Sequence, residues 1–157
     1  MKKILFLLIL LTACSAETYD PVARATNLDI TVLDEDDNDL LDPHSNYSKS
    51  IDVENIKIYF VVNGEDLLVE NKLSDSPKGF MLLEPEADLT QYQIRLFVNT
   101  LSKENITETI IQWDSEDRDT IKAEISRTKN STLVQKIWLN EKLAWDLQGL
   151  CRIVIRK

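Results

Sequence analysis

Several residue types that usually mark catalytic or metal sites are scarce in this chain of 157 residues. Only two cysteines occur, which excludes a scaffold held together by several disulfides. The only histidine is His44, so a histidine-rich zinc site is excluded, and a cysteine nucleophile would have only this one histidine as its base. Only three glycines occur, so most turns have to use Asn, Asp or Ser, and no glycine-rich phosphate loop is present.

Positive charge is also in the minority. The chain has 18 Lys and Arg residues against 27 Asp and Glu residues, which gives a formal net charge of −9 at pH 7. A surface of this sign repels the phosphates of nucleic acids and anionic lipid headgroups. Nucleic acid is therefore not an expected partner, and the charge is better explained by solubility near a crowded membrane.

The longest apolar run of the sequence is too short for a transmembrane helix. It covers residues 4–11, whereas a helix that crosses a bilayer needs about 20 apolar residues. Two lysines precede the run, and Leu11-Thr12-Ala13-Cys14 closes it. A basic head, an apolar middle and small residues at the end are typical of a cleaved secretory signal. We therefore predict a signal peptide over residues 1–13.

The segment Leu11-Thr12-Ala13-Cys14 resembles the lipobox of bacterial lipoproteins. The resemblance implies that Cys14 becomes the first mature residue and carries a diacylglycerol on its thiol, often with a further acyl chain such as palmitate on its amine. Several acyl chains hold a protein stably on a membrane. Ser15 follows the cysteine, and by resemblance to enteric sorting rules this favours the outer membrane. The alternative is an ordinary secretory signal in which Cys14 has no special role.

Residues 14–26 are interpreted as the lipidated N-terminus and a tether, because they lack a sustained period and contain Pro21. Strand patterns dominate residues 27–157, where we predict a single domain of about nine short strands. Apolar and polar residues alternate, or β-branched and aromatic residues cluster, in segments that include 28–32, 56–62, 91–101, 106–113, 120–128 and 133–139.

Two short segments have the composition of hairpin turns. Asn63-Gly64 is the strongest such signal, and Asn140-Glu141 is a second candidate. Many short strands at this spacing favour an all-β fold, with an antiparallel immunoglobulin-like β-sandwich as the first choice and a small β-barrel as the alternative.

Three longer segments carry a family resemblance. They are the acidic segment 34–43, the strand and turn 56–64, and the Trp-bearing segment 133–145. Together they resemble small uncharacterised lipoproteins of gut-dwelling Gram-negative bacteria. The resemblance implies a lipobox cysteine followed by one β-rich domain, and it implies no particular activity.

The acidic segment suggests a calcium site. Asp34, Asp36 and Asn38 alternate as ligands do in calcium-binding loops, and Ca²⁺ takes about six to eight oxygen ligands. The match to an EF-hand loop is partial, because Asp39 stands where that loop has glycine and Ser45 where it has glutamate. A calcium site at these three residues is one hypothesis, and a solvated turn between strands is the other. No other cofactor is expected.

Two tryptophans suggest a ligand surface. Trp138 and Trp145 flank the second hairpin turn and could pair across it to stack on a sugar ring. The alternative is that these rings, like Trp113, fill the core, as aromatic side chains most often do.

Two further positions carry separate predictions. Asp119-Thr120-Ile121 resembles the acceptor motif of bacterial periplasmic O-glycosylation, which implies that Thr120 is the modified residue. Cys151, in an apparent terminal strand, is interpreted as a small buried hydrophobe. The chain has no Gly-x-Ser-x-Gly elbow, and no carboxylate pair can be selected, so an enzyme is not expected and a glycan hydrolase ranks last.

The sequence thus predicts a lipid-anchored protein of the cell envelope that serves as a binding or interaction module for a glycan, a peptide or a neighbouring protein. The alternative is a structural or accessory lipoprotein that supports an envelope complex in the periplasm.

Overall fold

The computed structural model describes residues 22–86 and 89–157. Within these ranges the chain forms strands, turns, loops and one short 3-10 helix at Val53–Asn55. It contains no helix there that is long and apolar enough to cross a membrane. The predicted signal peptide (1–13), Cys14 and most of the tether lie outside the described residues.

The described residues contain eleven strands, where about nine were predicted, and they confirm the prediction of an all-β fold. They are β1 (Ala23–Ala25), β2 (Asn27–Leu33), β3 (Lys57–Val62), β4 (Glu65–Leu68), β5 (Phe80–Leu83), β6 (Gln93–Phe97), β7 (Ile106–Gln112), β8 (Arg118–Arg127), β9 (Ser131–Leu139), β10 (Lys142–Trp145) and β11 (Arg152–Arg156).

The strands form two open sheets. Sheet A has seven strands in the order β1-β9-β8-β7-β3-β4, with β10 also paired to β9, and sheet B has four strands in the order β11-β2-β6-β5. Both sheets are mixed, because β1 pairs with β9 in parallel and β11 pairs with β2 in parallel. The antiparallel arrangement predicted from the sequence holds for the other strand pairs but not for these two. The alternative of a small barrel is also wrong, since neither sheet closes within the described residues.

One apolar core lies between the two sheets. Alternate side chains of β7 and β8 are buried, as the alternating sequence predicts. A single cluster of buried residues draws on both sheets, so the fold resembles a sandwich. Its members include Ile58, Ile111, Ile121, Ile125 and Ile137 from sheet A, and Leu28, Ile30, Val32, Ile94, Leu96, Ile153 and Ile155 from sheet B.

Both predicted hairpin turns are present. Asn63 and Gly64 have φ angles of 54° and 83° between β3 and β4, and Asn140 and Glu141 have φ angles of 47° and 70° between β9 and β10. Positive φ at both central residues is the signature of the type I′ turn, which matches the twist of the flanking strands.

The bounds of two strands differ from the sequence prediction. β1 lies inside the range 14–26 assigned to the tether, where it pairs with residues 131–133 of β9. The strand predicted over 91–101 is shorter, and β6 ends at Phe97. It ends there because the buried Asn99 starts a turn, in which its side-chain Oδ1 accepts hydrogen bonds from the backbone N–H groups of Leu101 and Ser102.

Candidate functional site

The acidic turn is organised around one buried carboxylate, that of Asp34, which is only 1% exposed. Its Oδ1 accepts hydrogen bonds from the backbone N–H groups of Asp36 and Asn38, both at 2.9 Å. Its Oδ2 accepts from the side-chain amide of Asn38 and from the hydroxyl of Tyr47, both at 2.8 Å. The Asn38 amide contributes most to holding the pKa of Asp34 well below its ordinary value, against the opposing effect of burial.

This geometry favours a structural turn over a calcium site. A carboxylate has about four lone-pair positions, and four donors occupy those of Asp34. Asp36 and Asn38 are exposed, and the Asn38 side chain is turned towards Asp34. Across residues 22–86 and 89–157, no group of three or more His, Cys, Asp or Glu side chains is arranged to hold a metal ion.

The two hairpin tryptophans lie on opposite faces of sheet A. Trp138 is paired with Leu143, whereas Trp145 is paired with Ile137, because the register shifts between Leu143 and Trp145. Ile137 is fully buried, so Trp145 shares the core side and packs against the core cluster. Trp138, one residue further along β9, points to the solvent side. The sequence expectation that the two rings pair across the hairpin is therefore wrong.

Trp138 belongs to the solvent-facing side of sheet A, which we call the outer face of sheet A. It is paired across strands with Lys122 of β8, which is in turn paired with Glu108 of β7. The Lys122 ammonium lies 2.6 Å from Glu141 and 3.3 Å from Glu108. These two carboxylates, Glu141 first, raise the pKa of Lys122. A half-buried indole thus lies beside a network of three charges.

The outer face of sheet A continues towards β3. The guanidinium of Arg118 lies over the ring of Tyr59, 5.4 Å from its centroid. Tyr59 is three strands away from Trp138, which corresponds to about 14 Å at the usual inter-strand spacing. Thr120 lies on the same face, opposite Ile110 of β7, and is half-buried. Its O-glycosylation stays a prediction.

A second tryptophan site is internal. Trp113 is buried, and its indole N–H donates to Oδ2 of Asp119 at 2.7 Å. Asn140 donates to Oδ1 of the same carboxylate, and the Lys157 ammonium lies 2.9 Å from Oδ2. Burial alone raises the pKa of Asp119, but hydrogen bonds from Asn140, Lys157 and Trp113 outweigh it and lower the pKa below its ordinary value. Sequence reasoning placed Trp113 among the core candidates but did not identify Asp119 as its partner.

The remaining sequence candidates are isolated from one another. Among the described residues the thiol of Cys151 has no disulfide partner, and burial, followed by the charge of Asp29, raises its pKa to about 12. The raised pKa argues against a nucleophile, because a nucleophilic cysteine needs a thiolate, but Cys151 is only half-buried rather than buried as predicted. His44 is exposed in a loop and its backbone N–H donates to Asp42.

Sequence reasoning missed a cleft that lies between β5 and the segment 42–54. It has a volume of about 550 Å³, and its apolar lining includes Ile51, Val53, Phe80 and Leu82. No local pattern identifies it, because its two walls are distant in the sequence and meet only in the folded domain.

Comparison of the chain with protein-family models, with curated proteins and with solved structures found no match.

Proposed function

We propose that this protein is exported and anchored in the cell envelope, at the outer membrane, through lipid on Cys14. The support is the basic head, the apolar run and Leu11-Thr12-Ala13-Cys14, together with the resemblance to small lipoproteins. The first strand, β1, starts at Ala23, so the chain between Cys14 and this strand can span at most about 30 Å. A domain on so short a tether works close to the membrane surface.

The proposed activity of the domain is binding, and the observation that carries it is the position of Trp138. The indole lies on the outer face of sheet A beside the Lys122, Glu108 and Glu141 charges, and it is not part of the core cluster. An aromatic ring face suits the apolar C–H face of a sugar, while charged neighbours can hydrogen-bond its hydroxyl groups. We therefore assign a glycan as the ligand class for this face.

The proposed architecture of this module is immunoglobulin-like. Two sheets that share one core, with many short strands joined by tight turns, support it. The two terminal strands, β1 and β11, pair in parallel with their neighbours, so the sandwich is not purely antiparallel.

Membrane fractionation with and without Cys14→Ala tests the anchor. The native protein should enter the detergent phase and gain the mass of the acyl chains, and C14A should be soluble. Protease shaving of intact cells then distinguishes a binding module on the cell surface from an accessory lipoprotein in the periplasm. Loss of the domain from whole cells supports a surface binding module, whereas protection until the outer membrane is broken supports the accessory role in the periplasm.

Glycan arrays with purified protein test the binding face. Trp138→Ala should remove the signal, because the stacking surface is lost. Leu67→Ala is the matched control, since Leu67 is an exposed apolar residue of β4 outside the Trp138 neighbourhood. Absence of any glycan signal for the native protein, or equal signals for native and W138A, contradicts the proposed ligand class.

A further inference from the structure

The cleft beside β5 has the size and lining of a binding site. Its volume of about 550 Å³ lies within the range of about 300–1,000 Å³ that is usual for ligand sites. Ile51 and Val53 form one apolar wall, and Phe80 and Leu82 form the other. All four also pack against the core cluster or belong to it, so the walls are anchored in the folded domain.

The strand that forms one wall has an open edge. β5 is the last strand of sheet B, and β6 is its one strand partner among the described residues. The backbone N–H of Phe97 donates to the carbonyl of Gly79. Because hydrogen-bonded and non-hydrogen-bonded pairs alternate in an antiparallel ladder, Phe80 and Leu82 direct their N–H and C=O groups away from β6. Within the described part of the chain, the backbone groups of Phe80 and Leu82 on this side have no backbone partner.

The charge around the cleft is negative. Asp42, Asp52 and Glu54 line it, and the one cation of the lining, Lys78, lies 2.7 Å from Glu54. Two carboxylates are therefore not balanced by a cation of the lining. Ser50 adds a buried hydroxyl that has no hydrogen-bond partner in the described part of the chain.

We propose that the cleft and the open edge of β5 bind an extended peptide segment of another protein, in which an apolar residue and a Lys or Arg stand two positions apart. The backbone of the peptide adds a strand to sheet B at Phe80 and Leu82. Alternate side chains of this strand face the cleft, so an apolar side chain packs against Phe80 and Leu82, and the cation two positions along faces Asp42 and Asp52. An open strand edge favours a peptide over a small molecule, because only a peptide satisfies the row of free backbone groups.

This site is separate from the outer face of sheet A, and its test does not depend on the lipid anchor. The probe is a fluorescein-labelled hexapeptide that has leucine, lysine and leucine at its first, third and fifth positions and threonine at the others. It is titrated by fluorescence anisotropy against the purified full-length chain carrying Cys14→Ala. One control peptide has glutamate in place of lysine. A second control is N-methylated at alternate backbone nitrogens, which prevents strand pairing and leaves the charge unchanged.

Two variants locate the binding. Leu82→Lys places a cation in the cleft and should weaken binding by at least about tenfold. Met81→Lys adds the same charge on the opposite face of the same strand and should leave affinity within about twofold. Equal binding of the N-methylated peptide overturns the strand-addition proposal, and so does an equal loss in L82K and M81K.

If L82K does not fold, hydrogen exchange on the C14A chain decides instead. The amides of Phe80 and Leu82 should become protected when the leucine–lysine peptide is added, because they acquire acceptors. If neither amide becomes protected at a saturating concentration of the peptide, the proposal is wrong.

Discussion

Trp113 and Asp119 are joined by a 2.7 Å hydrogen bond from the indole N–H to Oδ2, at the buried end of sheet A. The bond links the residue that follows β7 to the second residue of β8. The same carboxylate also accepts hydrogen bonds from Asn140 and lies 2.9 Å from the Lys157 ammonium. One acidic side chain therefore connects a core aromatic ring, the turn between β9 and β10, and the residue after β11.

The first prediction concerns this carboxylate. Asp119→Ala should lower the free energy of unfolding by about 3 kcal/mol, because the indole N–H, the Asn140 amide and the Lys157 ammonium lose their shared acceptor. Urea denaturation measures the change. Asp146→Ala, at an exposed loop position, is the control and should stay within about 0.5 kcal/mol of the native chain. A loss below about 1 kcal/mol for D119A would show that the network is unimportant for stability.

The second prediction concerns acid. The pKa values of Asp34 and Asp119 are lowered in the folded state, so the unfolded chain takes up protons first as the pH falls. Their contribution to stability is fully present above the unfolded pKa, at about pH 4, and is lost as the pH falls further. Urea midpoints should therefore be nearly constant between about pH 7 and pH 5 and fall steeply below about pH 4.

A variant separates the part of this acid response that comes from the acidic turn. Asp34→Asn should be less stable than the native chain at neutral pH, and its stability should depend less on pH below about pH 4. Asp36→Asn, at an exposed position in the same turn, is the matched substitution. An acid slope for D34N equal to that of the native chain would be inconsistent with the buried, four-donor geometry.

The third prediction compares two glycines with the same backbone conformation. Gly64 and Gly79 have φ angles of 83° and 81°, but a methyl group at Gly79 would lie 2.9 Å from Cγ1 of Val69, whereas the space around Gly64 is open. Gly64→Ala should cost about 1 kcal/mol of stability from the positive φ alone. Gly79→Ala should cost about 2–4 kcal/mol, because a steric clash is added. Equal costs in urea denaturation would mean that Val69 moves aside freely.

The fourth prediction concerns the thiol of Cys151. A pKa of about 12 leaves a thiolate fraction at pH 8 that is about a thousandfold smaller than at an ordinary pKa near 9. In the Cys14→Ala chain, modification by Ellman's reagent should therefore be very slow in buffer and rapid in urea. Rapid reaction of the folded protein would contradict the burial of this thiol.

The β-strands could be predicted from the sequence wherever side chains alternate along one buried face. β7 and β8 show this alternation residue by residue, and both hairpin turns carry asparagine at the first position with positive φ. β1 escaped prediction because its three residues are all exposed and its place depends on pairing with the distant β9. Parallel pairing of β11 with β2 is likewise a tertiary property with no local signal.

The candidate sites were harder to predict because they too depend on contacts between distant parts of the chain. The alternation of Asp34, Asp36 and Asn38 is visible in the sequence, but whether Asp34 faces a cation or its own turn depends on Tyr47, thirteen residues away in the chain. The separation of Trp138 from Trp145 depends on a register shift within β10, which period-two patterns do not reveal. The cleft beside β5 exists only because two distant segments meet in the fold.

The parallel pairing of β11 with β2 also bears on how the chain is made. β2 begins at Asn27, whereas its parallel partner β11 ends at Arg156. Sheet B therefore gains its fourth strand only after nearly the whole polypeptide has been synthesised. During synthesis the nascent chain therefore lacks the contacts that complete its core. A chain whose core is completed so late can stay unfolded until its last strand is made, which suits the export that we propose for it.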